Sequence, residues 1–150
     1  MLDKRIIIKE VSPGGYKAML ALENYIGSVK LKPIYRELIK IRASQINGCA
    51  YCIDMHSKDA RDLGFSERKL YAVSAWRESS FFNDEERALL AATEEITNIS
   101  VKGLSEETYK NLTHYFDDQS IAELIMINVT INAWNRIAVS THTPYDDHAS

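Results

Sequence analysis

Apolar residues recur along most of this chain at intervals of three and four, the spacing that places side chains on one face of a helix. Met19, Leu22 and Ile26 follow that spacing in a segment running to Ser28. Ser12-Pro13 opens the segment with a capping residue and a proline at the first helical position. Pro33 opens a second helix, striped by Ile34, Leu38 and Ile41 and ending near Asn47-Gly48. A third is predicted from Cys49 to Leu63, with Gly64 just past its end. Ser66 caps a fourth, to Ser74, and Asn83-Asp84-Glu85-Glu86 is a capping box for a fifth through Ile99. Ser105 begins a short sixth over 106–115, and Ser120-Ile121-Ala122-Glu123 caps a long last helix to Ser140. Strand-like alternation is not evident, and Ile6–Val11 reads equally as an extended arm or a helical turn. The tail, Thr143–Ser150, is polar and expected to fray.

This pattern predicts an all-α fold spanning 1–150 as one domain, without repeats or composition breaks. Its last helix is unusual. Ile121, Leu124, Ile125, Ile127, Val129, Ile131 and Trp134 go nearly all round it. Such a helix is either central in its fold or covered by another subunit.

Composition narrows the function. The chain of 150 residues fits one domain. Its 45% apolar and 26% charged residues are ordinary for a globular protein. A net charge of −3 with scattered basic residues gives no electrostatic case for nucleic acid. The most apolar stretch, Leu124–Ile131, is interrupted by Asn128 and Thr130, short of the ~20 apolar residues of a membrane span. The apolar run Ile6–Ile8 is shorter than the ~7–15 residues of a secretory core. A cytoplasmic protein is expected, in which a close cysteine pair is more often catalytic or metal-binding than a structural bridge.

The two cysteines of the chain stand three apart, in Cys49-Ala50-Tyr51-Cys52. On a wheel of about 100° per residue with Cys49 at zero, Cys52 falls near ~300° and His56 near ~340°. Both thiols and the imidazole then share the apolar stripe continued by Ala60 and Leu63, while Lys58, Arg61 and Asp62 face away. Cys52 and His56 are also i, i+4 neighbours. On the second helix Glu37 falls inside the apolar stripe, whereas Arg36 and Lys40 point elsewhere. A carboxylate on a buried face is costly unless paired. Glu37 lies eleven residues before Gly48 and His56 eight after it. In an antiparallel hairpin the two come within about one helical turn, which makes Glu37 a partner for His56.

That set has a chemical logic. The thiolate is the nucleophile, and both a neighbouring histidine and a helix N-terminus favour it. An acid behind the histidine fixes its tautomer. A second thiol one turn away resolves a sulfenic acid before overoxidation. Three other readings stand beside it: inert core cysteines, a zinc site using Cys49, Cys52 and His56, and non-redox acid–base catalysis by His56 and Glu37. A thioredoxin-like domain is disfavoured, since a helix rather than a strand precedes the cysteine pair.

Glu37, followed after eleven residues by Cys49-Ala50-Tyr51-Cys52-Ile53-Asp54-Met55-His56, resembles the core motif of AhpD-like alkyl hydroperoxidases, within the carboxymuconolactone decarboxylase superfamily. The likeness takes in Arg42–Gly48, Lys58–Arg61, Pro13–Leu22, Asp84–Thr97 and Asn132–Ser140. It implies an AhpD-like helical bundle with an antiparallel hairpin carrying the cysteines, assembled as a homotrimer or homohexamer. It implies Cys52 as the peroxidatic and Cys49 as the resolving cysteine, with His56 and Glu37 as the relay that takes the thiol proton. It further implies a hydroperoxide substrate and an external dithiol reductant such as a lipoyl-bearing protein, with no metal or flavin cofactor. One residue departs from the best-known hydroperoxidase branch, which has histidine directly before the second cysteine where this chain has Tyr51. A phenol with a reference pKa of about 10 is no near-neutral base, though it can donate a hydrogen bond. The remaining candidates are bland: His114 as a packed or surface residue, His142 and His148 in solvent near the tail, Trp76 and Trp134 as core or interface anchors, and Arg136 towards a subunit boundary.

Overall fold

The computed structural model describes residues 2–144 and is all-helical. A short turn of helix, α1 (Ile8–Val11), leads into α2 (Pro13–Ser28), α3 (Pro33–Asn47), α4 (Ala50–Asp62) and α5 (Glu67–Ala72). A 3₁₀ segment, Val73–Glu78, links to α6 (Asp84–Thr97), and α7 (Ile99–Lys102), α8 (Glu106–Thr113) and α9 (Asp118–Thr141) follow. Among the described residues no helix is long and apolar enough to cross a membrane.

The core is built around α3, which packs against α4, α6 and α9. Being enclosed on several sides, α3 buries Tyr35, Leu38, Ile39, Ile41 and Ala43, well beyond one amphipathic stripe. Leu38 and Ile39 are wholly buried, each contributing about 1.5–3 kcal/mol relative to exposure. Leu89 and Leu90 of α6 and Leu124, Ile127 and Ile131 of α9 close the same core. The last helix is therefore central, as its all-round apolarity predicts, but Val129 and Val139 remain exposed on its outer side.

The hairpin that carries the chemistry turns at Gly48, which has φ 67° in the left-handed region that glycine adopts without a Cβ penalty. The N–H groups of Gly48 and Cys49 return to the carbonyls of Gln45 and Ser44. Polar side chains lock this turn onto α9. Asn47 donates to both Asn132 and Asn135 at 2.9 Å, and Asn135 donates to Ser44 at 3.0 Å.

Several ends differ from expectation, each for a local reason. Cys49 is the extended N-cap of α4 rather than its first helical residue, and its sulfur accepts from the N–H of Cys52 at 3.3 Å. Ser12 precedes α2 but makes no side-chain cap. The fourth helix does not reach Ser74 as α-helix, since the chain tightens to 3₁₀ from Val73 and kinks at Ala75. The fifth stops at Thr97, and Asn98 starts the separate turn α7. The last helix starts earlier than the box at Ser120 suggests, because Asp117 caps it by accepting from the Ser120 N–H at 2.8 Å. Glu123 instead accepts from the Leu31 N–H, tying the loop before α3 to α9. Ile6–Val11 resolves into an arm with one helical turn. Thr143 is tied back by its N–H to the Ala138 carbonyl, while residues 145–150, His148 among them, lie outside the described residues.

Candidate active site

The hairpin brings together the four residues that the spacing singled out. Cys49 and Cys52 are both 2% exposed, with Cα atoms 5.3 Å apart, and are joined as a disulfide. Cys52 sits in the first turn of α4, where unpaired N–H groups and the helix dipole favour a thiolate once the pair is reduced. His56, one turn further on, is buried, and its Nδ1 donates to Oε2 of Glu37 at 2.9 Å. A carboxylate only accepts, so this bond puts a proton on Nδ1, and in the neutral ring it leaves the lone pair on Nε2. Asp59 lies 3.7 Å from the same nitrogen, at the half-buried edge of the group.

Burial pushes the Glu37 carboxyl up. The hydrogen bond from His56 and the charge of Lys40 together outweigh it and hold the group below the usual carboxylate range. Glu37 is thus an ionised acceptor at neutral pH. Lys40 does not point away from this region as its wheel position suggests. It is buried, with Nζ 3.5 Å from Glu37 and 3.3 Å from Glu23 of α2. Sequence reasoning passed over Lys40 and Glu23 because a wheel ranks the faces of one helix, and α3 is covered from several directions.

Cys52 and His56 line a cavity of about 570 Å³. Cys49 is not among its lining residues, so the cavity reaches one sulfur of the pair. Tyr51 and Met55 of α4, Tyr16 and Leu20 of α2, Trp134 and Ile137 of α9, and Ile6 and Ile7 of the N-terminal arm form much of the wall. That lining suits an apolar molecule approaching a small polar centre. The arm is held there by few bonds. The Arg5 N–H and guanidinium reach the carbonyls of Thr141 and Ser140, and His142 bonds to the Asp3 carbonyl.

The minor candidates fall out as follows. Trp134 packs against the core, as its apolar helix suggests, and also forms a wall of the cavity, edge-on to Tyr16. Trp76 is buried and donates to Glu94. His114 is exposed at the end of α8. His142 ends α9 in a left-handed conformation and is half-buried, not free in solvent. Arg136 bonds back to Asn132 on its own helix. Zinc ligation by Cys49, Cys52 and His56 does not fit a pair joined as a disulfide. The donor atoms of Glu37, His56 and Asp59 do lie within 4.8 Å of one another. There the Lys40 ammonium already neutralises Glu37, which weakens the group as a cation site.

Comparison with known proteins identifies the family and the fold. Residues 13–95 match the model of the carboxymuconolactone decarboxylase family. The uncharacterized protein YdfG of Bacillus subtilis is 40% identical over 139 residues, covering 93% of this chain and 95% of the relative. A crystal structure from Agrobacterium tumefaciens, of a protein of unknown function described as an antioxidant defence protein AhpD, superposes with a TM-score of 0.93. Its identity is 40%, and the match covers 96% of this chain and 99% of that one. The debrominase Bmp8 shares the fold alone, with a TM-score of 0.79 and 24% identity over 90% of this chain and 73% of its own.

Proposed function

The chain belongs to the carboxymuconolactone decarboxylase family, and from that premise we propose that it is an AhpD-like thiol peroxidase. The observation that carries this reading is the shared wall: Cys52 and His56 face one apolar cavity, with His56 backed by a buried, ionised Glu37. His56 takes the Cys52 proton through Nε2, as a base oriented by its acid partner. The thiolate attacks the terminal oxygen of a hydroperoxide. The O–O bond breaks, the alkoxide takes up the proton and leaves as alcohol, and Cys52 becomes a sulfenic acid. The Cys49 thiol then condenses with it, releasing water and closing the disulfide. An external dithiol, such as a lipoyl group on a partner protein, returns both thiols. The reaction moves two electrons and draws on no metal or flavin. Tyr51 lines the same cavity, and in this reading its phenol donates a hydrogen bond to an incoming oxygen.

Intact mass after one equivalent of an organic hydroperoxide tests the reading. Reduced wild type is expected to lose two hydrogens, and Cys49→Ser to gain one oxygen. Mass changes no faster than those of a free thiol in both proteins sink it. A second reading draws on the same pair, because the Glu37–His56 bond is independent of the sulfurs. In that case His56 and Glu37 perform acid–base chemistry on a carbon substrate, and turnover survives replacement of both cysteines by serine.

A further inference from the structure

Lys40 is a buried cation that the thiol chemistry above leaves without a role. It stands one turn after Glu37 on α3 and is 7% exposed. Its Nζ lies 3.5 Å from Oε1 of Glu37 and 3.3 Å from Oε1 of Glu23. The other oxygen of Glu23 accepts from Nε1 of Trp134 at 2.9 Å, so Glu23 is held from two sides. Trp134 and Glu23 line the cavity together with Cys52 and His56. A chain of paired groups therefore runs from Trp134 on α9 through Glu23 on α2 and Lys40 and Glu37 on α3 to His56 on α4.

A buried ammonium is costly unless paired, and here two carboxylates pair it. Its position relative to Glu37 gives it a further effect. One Glu37 oxygen serves His56 and the other serves Lys40, which leaves the carboxylate neither free to turn nor easy to protonate. The charged and titratable groups facing the pair are Cys52, Tyr51 and Asp59 on α4, Glu23 and Tyr16 on α2, and Lys4 and Lys9 across the cavity on the arm and α1. Among them, Lys40 is the cation in direct contact with Glu37.

We propose that Lys40 is a positioning residue of the relay: its ammonium pins Oε1 of Glu37 and so holds Oε2 of that carboxylate against Nδ1 of His56. This rests on the thiol reading of the site and deepens it.

Replacing one cysteine isolates the effect, since the chain has two. In a Cys49→Ser background, the rate of Cys52 alkylation by iodoacetamide is measured against pH. Removing a cation raises the pKa of every group near it, so Lys40→Met is expected to move the midpoint of that profile up by about 0.5–1 unit. Removing an anion does the opposite, so Glu23→Gln is expected to move it down by roughly 0.2–0.5 unit, less because Glu23 is partly solvated. Lys40→Arg, which keeps the charge, is expected to return the midpoint to within about 0.3 unit of the parent. A merely structural role predicts shifts of the same sign or none in the first two variants, and either outcome overturns the proposal. Circular dichroism establishes which variants fold. If Lys40→Met does not, the absence of a downward shift in Glu23→Gln is decisive against it. The assay uses no peroxide, so a failed peroxidase reading is seen separately by mass analysis.

Discussion

Two carboxylates on the central helices make an instructive pair. Glu37 on α3 and Glu94 on α6 are both largely buried, and both are held below the usual carboxylate range. In each case burial pushes the group up and nearby donors reverse it. The donors differ. Glu94 is clamped by Trp76 and Arg42 at 2.9 Å and by Arg77 at 2.6 Å, side chains that only donate. Glu37 is bonded to a histidine, whose ring has a second nitrogen, and that histidine shares a cavity wall with a cysteine. A perturbed carboxylate by itself therefore separates nothing. What distinguishes the candidate one is an imidazole partner that shares a cavity with a thiol.

That contrast can be broken most sharply at the reacting atoms. Cys52→Ser is expected to reduce peroxide consumption to the rate of buffer alone in a coupled dithiol assay. His56→Ala is expected to cost about 10²–10⁴-fold while the fold persists, as for loss of a general base. Glu37→Gln keeps the shape but loses the ionised acceptor, and at least about a tenfold fall in rate is expected. Glu94→Gln is expected to leave the rate within about twofold and to cost about 1–3 kcal/mol of stability instead, read from the urea midpoint. If Glu94→Gln slows the thiol chemistry as much as Glu37→Gln does, the comparison fails.

Acid titration sharpens it further. Both carboxyls have folded pKa values below their ordinary value of 4.5. Each therefore contributes stability that is fully present above that value and is lost as pH falls through the lower, folded one. Urea midpoints of the wild type are expected to fall below about pH 4.5, and Glu94→Gln to flatten that fall. The smallest effect concerns the cavity wall. Tyr51→His, restoring a near-neutral base beside Cys52, is expected to raise the peroxide rate by less than about tenfold.

The site was unevenly legible. Glu37 stood out as a carboxylate inside an apolar stripe, and Cys49, Cys52 and His56 by their spacing, because the i, i+4 and turn-centred spacings are properties of single segments. The antiparallel hairpin followed from Gly48 in the same way. Lys40 and Glu23 did not stand out, since nothing local marks a lysine as buried. Trp134 was legible as an anchor but not as a cavity wall, because a tryptophan in an apolar helix gives no sign of which side faces a cavity. The start of α9 was misplaced for a related reason. Ser120 and Glu123 match a capping box, but Asp117 caps better and Glu123 is taken by the Leu31 N–H far along the chain.

By itself, then, the order of residues determined the helical class, the hairpin and the candidate quartet Glu37, Cys49, Cys52 and His56, all of which depend on periodicity and spacing within about thirty residues. Only the tertiary structure decided which cysteine lines the cavity, what forms its wall, and how Trp134, Glu23 and Lys40 stand behind Glu37. Those facts depend on how α2, α4, α6 and α9 close around α3. Burial and pairing at such a crossing belong to several helices at once, and no single segment encodes them.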